Sequence, residues 1–184
     1  MSTRNRLGRI GAAAAAAIAI SVGGAGIASA AAPAPPTQAA GATYYYPGCV
    51  LQTANGHYVT AVGAGGRTTD VIHTDATRIG AWEKFTFVTT SVGAVYGIET
   101  ANGHYLTAVD GGGRITDVIH SDATQVQAWE DFTLHSVGNG QYDLETVNGH
   151  YLTAVGGGGR TTDTIHSDAT RVGSWEKFTL TCGH

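Results

Sequence analysis

The chain has 184 residues, with 10 Lys+Arg, 14 Asp+Glu and a formal net charge of −4. Three of the basic residues, Arg4, Arg6 and Arg9, fall in the first thirty positions, which hold no acid; the remainder carries seven basic against 14 acidic residues, a net of −7. A surface of that sign repels phosphate backbones and anionic lipid, which argues against nucleic-acid and polybasic membrane binding.

In chain order, residues 1–30 read as a secretory signal peptide. A basic start leads into an alanine-rich run from Ile10 to Ile27, and Ala28-Ser29-Ala30 is a small-residue cleavage pattern. Gly23, Gly24 and Gly26 break the run, which lacks the large apolar residues of a membrane anchor. Residues 31–43 are an Ala/Pro-rich linker with nothing to bury. A secreted, extracellular, monomeric domain is expected over residues 44–184. The two cysteines, Cys49 and Cys182, bracket that domain, and in an exported chain they predict a structural disulfide. Closing so long a loop stabilises by about 4–5 kcal/mol on the chain-entropy account, less any strain. Two buried free thiols are the alternative.

Between the cysteines the chain repeats itself. "TANGHYVTAVGAGG" at Thr53 recurs as "TANGHYLTAVDGGG" at Thr100 and "TVNGHYLTAVGGGG" at Thr146, offsets of 47 and 46 residues. Ile98–Leu134 and Leu144–Leu180 share 28 of 37 positions. The repeats span about 49–95, 96–141 and 142–182. Each predicts four short strands, in the third repeat near Leu144–Val147, His150–Val155, Thr161–His166 and Trp175–Leu180. Asn-Gly marks the first turn, since both residues tolerate positive φ, and Gly156–Gly159 marks the second. No stretch has a helical apolar period, so the fold class is all-β. Three units are too few for a propeller, and the end units are too like the middle one for a capped solenoid. A β-trefoil and a β-prism remain.

"NGHYLTAVGGGG" followed by "WEKFTL" resembles the repeat of fascin-like β-trefoils of the actin-crosslinking-like superfamily. The match covers nearly all of Cys49–Cys182. The ricin-type Gln-x-Trp motif is not repeated: Gln127-Ala128-Trp129 spells it once, and the other lobes have Gly80 and Gly173 in place of the glutamine. The resemblance implies a β-trefoil of three four-stranded repeats with pseudo-three-fold symmetry. For function it implies either actin bundling, as in eukaryotic fascins, or carbohydrate binding, as in secreted bacterial relatives. Leu106 with Ala108, Leu152 with Ala154, and Val59 with Ala61 share strand faces and predict core, as do Phe85, Phe132 and Phe178. Trp82, Trp129 and Trp175, beside a core strand, are expected to pack inside rather than stack on sugars.

One polar cluster occurs three times: "TDVIHTDAT" at Thr69, "TDVIHSDAT" at Thr116 and "TDTIHSDAT" at Thr162. Strand parity puts Ile72, Ile119 and Ile165 inward. It puts His73 with Asp75, His120 with Asp122, and His166 with Asp168 outward, alongside Val71, Val118 and Thr164. Asp70, Asp117 and Asp163 have the opposite parity and join only from a loop edge or bulge. Three readings stay open: an Asx-turn joining the third and fourth strands, a saccharide site, and a metal site, although Asp-x-x-His-x-Asp matches no particular metal. His57, His104 and His150 follow the Asn-Gly turns and are further ligand candidates. Tyr58, Tyr105 and Tyr151 are sugar platforms or close the barrel base. No cofactor and no catalytic residue is expected, since three-fold copying opposes the single asymmetric cleft that catalysis favours. Two functions remain: a non-catalytic multivalent lectin-like module for a polysaccharide or cell-surface glycan, and an extracellular protein-interaction or structural subunit.

Overall fold

A computed structural model describes residues 43–90 and 93–184; the expected signal peptide and nearly all of the linker lie outside the described residues. Twelve strands form: β1 (Tyr45–Gln52), β2 (Tyr58–Ala61), β3 (Ile72–Ala76), β4 (Phe85–Thr89), β5 (Val95–Glu99), β6 (Tyr105–Ala108), β7 (Ile119–Ala123), β8 (Phe132–Gly138), β9 (Gln141–Thr146), β10 (Tyr151–Ala154), β11 (Ile165–Ala169) and β12 (Phe178–Thr181). Among the described residues no helix is long and apolar enough to cross a membrane.

Pairing closes a ring. β1 pairs with β4, β4 with β5, β5 with β8, β8 with β9, β9 with β12, and β12 returns to β1, all antiparallel. The remaining strands pair as three hairpins, β2–β3, β6–β7 and β10–β11. Phe85, Phe132 and Phe178 fill the barrel as expected, joined by Phe87, Ile98 and Leu144. Each phenylalanine so buried stabilises by roughly 1.5–3 kcal/mol. The expected pairs Val59/Ala61, Leu106/Ala108 and Leu152/Ala154 point into the same core from the hairpins. Cys49 and Cys182 are joined in a disulfide next to the β1–β12 pairing.

Two strands begin later than the sequence predicts. The third strand of the last repeat starts at Ile165, because Asp163 adopts a left-handed φ of 50° and keeps residues 161–164 in a turn. The fourth starts at Phe178, and Trp175 stands in the loop before it. At the three repeated Asn-Gly turns only the glycine takes positive φ, whereas at Asn139-Gly140, between β8 and β9, both residues do; in the first repeat the Thr53 carbonyl accepts from the Gly56 N–H at 2.9 Å.

Asparagine serves a different purpose there: it joins the lobes. The Asn55 side-chain amide donates to the Gly156 carbonyl, that of Asn102 to Gly63, and that of Asn148 to Asp110. Each Asn-Gly turn thus docks on the Gly-rich turn of the neighbouring lobe, and the third lobe meets the first. Glycine is required at this seam. A Cβ on Gly158 would lie 2.2 Å from Thr53 Oγ1, and Gly65 and Gly112 meet Thr100 and Thr146 in the same way.

Candidate functional site

The repeated nonapeptide divides into two sets of residues with different surroundings. Thr74, Ser121 and Ser167 are fully buried. The Ser121 backbone N–H donates to the Arg67 carbonyl at 2.8 Å, and its hydroxyl accepts from the Arg67 N–H at 3.2 Å. Ser167 holds Arg114 and Thr74 holds Arg160 in the same way. These hydroxyls are seam residues, each bonded to the backbone of a neighbouring lobe. Val71, Val118 and Thr164, expected outward, are buried. They precede the regular strand, where two-residue parity does not apply, and the Thr164 hydroxyl donates to the Ile72 carbonyl at 2.7 Å.

The histidines do face outward, but with a different partner. His73 Nε2 lies 2.7 Å from Asp70 Oδ1, His120 lies 2.7 Å from Asp117, and His166 lies 2.6 Å from Asp163. The expected partners two residues on, Asp75, Asp122 and Asp168, are exposed, and none bonds the histidine. A left-handed φ of 50–52° at Asp70, Asp117 and Asp163 turns each carboxylate back toward the imidazole, so these residues escape strand parity. Aspartate is among the few side chains that tolerate this region. An arginine completes each group: Arg67 lies 3.4 Å from Asp70 Oδ2, Arg114 lies 3.6 Å from Asp117 and also pairs with Asp110, and Arg160 lies 3.3 Å from Asp163. The three aspartates line a cavity of about 580 Å3 shared by residues 68–72, 115–119 and 161–165, whereas the histidines stand outside its lining. The arginines escaped the sequence reading; their recurrence three positions before each aspartate was the available signal.

Tryptophan is the clearest departure from expectation. Trp82, Trp129 and Trp175 are 48%, 46% and 48% exposed, not core. Their backbone carbonyls accept from the Ala61, Ala108 and Ala154 N–H groups, while about half of each residue's surface stays open. The loop is braced by the glutamate that follows. Glu83 is buried, accepts the Thr60 hydroxyl at 2.8 Å on one oxygen and the Gly80 N–H at 2.6 Å on the other. Glu130 and Glu176 repeat both bonds. A Thr residue, a buried carboxylate and a turn amide therefore hold each indole at the surface.

The second set of histidines sits apart. His57 rests against Gly159, His104 against Gly66 and His150 against Gly113, each across the seam, and each buried Nδ1 has no hydrogen-bond partner. No hydrogen bond joins them to the Arg–Asp–His groups. Tyr58, Tyr105 and Tyr151 are half-buried. Tyr105 is raised above its ordinary pKa by burial, then by Glu99. Tyr151 is raised by the Glu145 carboxylate first. Among the described residues no group of three or more His, Cys, Asp or Glu is placed to hold a metal ion.

One barrel position breaks the symmetry. The cross-strand pairs Val50–Thr181 and Val88–Gly97 correspond to His135–Asp143. His135 reaches Glu145 at 2.6 Å. Asp143 is only 3% exposed, and its Oδ1 has no partner. Burial pushes the Asp143 carboxyl above its ordinary value, against a lowering influence from His135.

No protein-family profile matches the chain, and no curated protein matches it. Solved structures do. The designed three-fold symmetric protein ThreeFoil is 13% identical with a TM-score of 0.61, over 74% of this chain and 96% of that one. The Rhizoctonia solani agglutinin is 13% identical with a TM-score of 0.60, over 82% and 100%. This chain is a β-trefoil. An exo-β-1,3-galactanase from Clostridium thermocellum matches at 12% identity and a TM-score of 0.60, over 75% of this trefoil but only 30% of that enzyme. At such identities the likeness is one of fold.

Proposed function

We propose that this β-trefoil is a secreted, monomeric, non-catalytic lectin-like module that binds a polysaccharide or cell-surface glycan through sites repeated on its three lobes. The observation that carries the reading is the set of three half-exposed tryptophans, each on a loop braced by a buried glutamate. A large aromatic ring exposed in three equivalent places offers flat faces for sugar C–H groups, and its rigid mounting limits the entropy lost on binding. The outward His–Asp pairs supply donors and acceptors for sugar hydroxyls in the same three copies. The fascin-like repeat supports a secreted bacterial carbohydrate-binding type, and an agglutinin and a galactanase among the similar folds support a saccharide ligand. Both oxygens of each buried glutamate accept a bond that braces its loop, which supports a structural role for them.

Such shallow sites hold a single sugar at roughly millimolar strength, near 4 kcal/mol, and gain on polymers through effective concentration. Pull-down on insoluble chitin, cellulose and β-1,3-galactan, set beside monosaccharide titration, tests this. Retention by at least one polymer, lost in the Trp82→Ala/Trp129→Ala/Trp175→Ala triple variant, is the expected result. Undiminished retention by that variant removes the tryptophans from the account.

A second reading rests on a different surface. Tyr44, Tyr45 and Tyr46 are exposed at and just before the start of β1, ahead of the first repeat. Such a tyrosine-rich patch suits an extracellular protein partner, which would make the trefoil a subunit of a larger assembly.

A further inference from the structure

The cavity on the pseudo-three-fold axis is a site of a different kind from those on the flanks. Each lobe contributes the same five positions to it, 68–72, 115–119 and 161–165, so the molecule has one such cavity and not three. Its volume of about 580 Å3 lies within the roughly 300–1,000 Å3 of small-molecule sites. Ile72, Ile119 and Ile165 contribute to its lining and also belong to the core, so this part of the wall is apolar and anchored. Threonine hydroxyls and the carboxylates of Asp70, Asp117 and Asp163 supply the polar part.

Charge decides what the cavity suits. Each carboxylate already has an arginine within 3.6 Å and a histidine within 2.7 Å. The three lining carboxylates are countered by three guanidinium groups, of which Arg114 is shared with Asp110, so an anion gains no net attraction and a cation only a modest one. Carboxylate oxygens held in place by such partners keep lone pairs for further hydroxyl donors. Apolar walls with fixed hydroxyl acceptors suit a neutral ligand with C–H faces and a hydroxyl edge. The lining is also uneven. Ile115 stands where the other lobes have Thr68 and Thr161, and it is exposed. Thr164 replaces Val71 and Val118, with its hydroxyl committed to the Ile72 carbonyl.

We propose that this axial cavity receives a single terminal unit of a neutral saccharide, end-on, one per molecule, in addition to side-on binding at the flank tryptophans. The ligand class rests on the lectin reading; the position and the stoichiometry do not.

Isoleucine δ1-methyl NMR separates the two kinds of site. Ile72, Ile115, Ile119 and Ile165 report the axis, and Ile79, three residues before Trp82, reports a flank. The full domain is titrated with the methyl β-glycosides of glucose, galactose and N-acetylglucosamine, and separately with hexanoate. At least one glycoside is expected to shift the axial methyls together, saturating as a single site. Ile115→Arg, at an exposed position, should weaken that binding roughly tenfold or more and leave polymer retention unchanged. The Trp82/Trp129/Trp175 triple variant should lose polymer retention and keep the axial shifts. The proposal is overturned if polymers are retained while no glycoside moves the axial methyls. Axial shifts from hexanoate alone, three equivalents bound at the axial methyls, or unaltered binding in Ile115→Arg would overturn it as well. Failure of both retention and shifts overturns the lectin reading together with this one.

Discussion

His120 and Ser121 are neighbours on one strand, and both recur in every lobe, with threonine in the first. Their surroundings are opposite. The hydroxyl is fully buried in a seam between lobes, while the imidazole faces outward against a left-handed aspartate. Repetition alone therefore does not separate architecture from recognition. A symmetric fold needs three copies of its joints as much as three copies of its sites. Burial and the lobe of the partner distinguish the two sets: the seam hydroxyls bond across lobes, and the side chains of each Arg–Asp–His group bond within one.

Substitutions can sharpen that contrast. The largest effect is expected at the closure: Cys49→Ser with Cys182→Ser removes a link across 133 residues, a loss of about 5 kcal/mol on the chain-entropy account, read by urea denaturation. Next comes the seam. Gly158→Ala forces a methyl against Thr53 at a φ of 100°, and a loss of about 3 kcal/mol or more is expected in thermal melts. Glu176→Ala removes the acceptor of the Thr153 hydroxyl and the Gly173 N–H, so a loss of about 1–3 kcal/mol should accompany loosening of Trp175, seen as a shift in its fluorescence. At the surface, His73→Ala should change stability by no more than about 0.5 kcal/mol, because exposed pairs contribute little. A large loss there would move the histidine from the proposed recognition set to the seam set.

The smallest effect concerns the asymmetric barrel pair. Asp143 is held above its ordinary value near 3.8, chiefly by burial. A carboxyl raised in the folded state favours folding while protonated and costs stability as pH rises through its unfolded value. Asp143→Asn should thus gain on wild type from about pH 4 upward and show no such gain at pH 2–3. Urea melts at both pH values check the sign; a gain of equal size at low pH would mean that packing, not ionisation, sets the difference.

The barrel was legible because its signal is local. Alternation in "YLTA" and the repeated Phe-Thr strands state which side chains face inward, and the closed three-fold plan follows from the count of repeats. The seam was not legible, since Asn55, Thr74 and Gly158 find their partners in another lobe and nothing in one repeat records that. Parity failed where the backbone leaves the strand: the turn at Asp70 reverses its carboxylate and so reassigns the partner of His73. Trp82 misled for a related reason. Its carbonyl is bonded to a core strand as the pattern suggested, but the ring follows the loop that Glu83 braces.

The seam between the third lobe and the first has a temporal consequence. Arg160 must reach Thr74, Gly157 must reach Asn55, and β12 must reach β1 before the first and third lobes have a complete set of neighbours. A chain emerging from its N-terminal side can assemble one joint early, but the first lobe keeps unpaired donors until the last forty residues or so arrive. Contacts of such long sequence separation make folding slow and all-or-none, so a nascent chain spends its synthesis time without a stable core. The same ring has no privileged starting point. Moving the chain ends from one lobe boundary to the next, with a short link across the old gap, would exchange which joint forms last and leave the finished molecule the same.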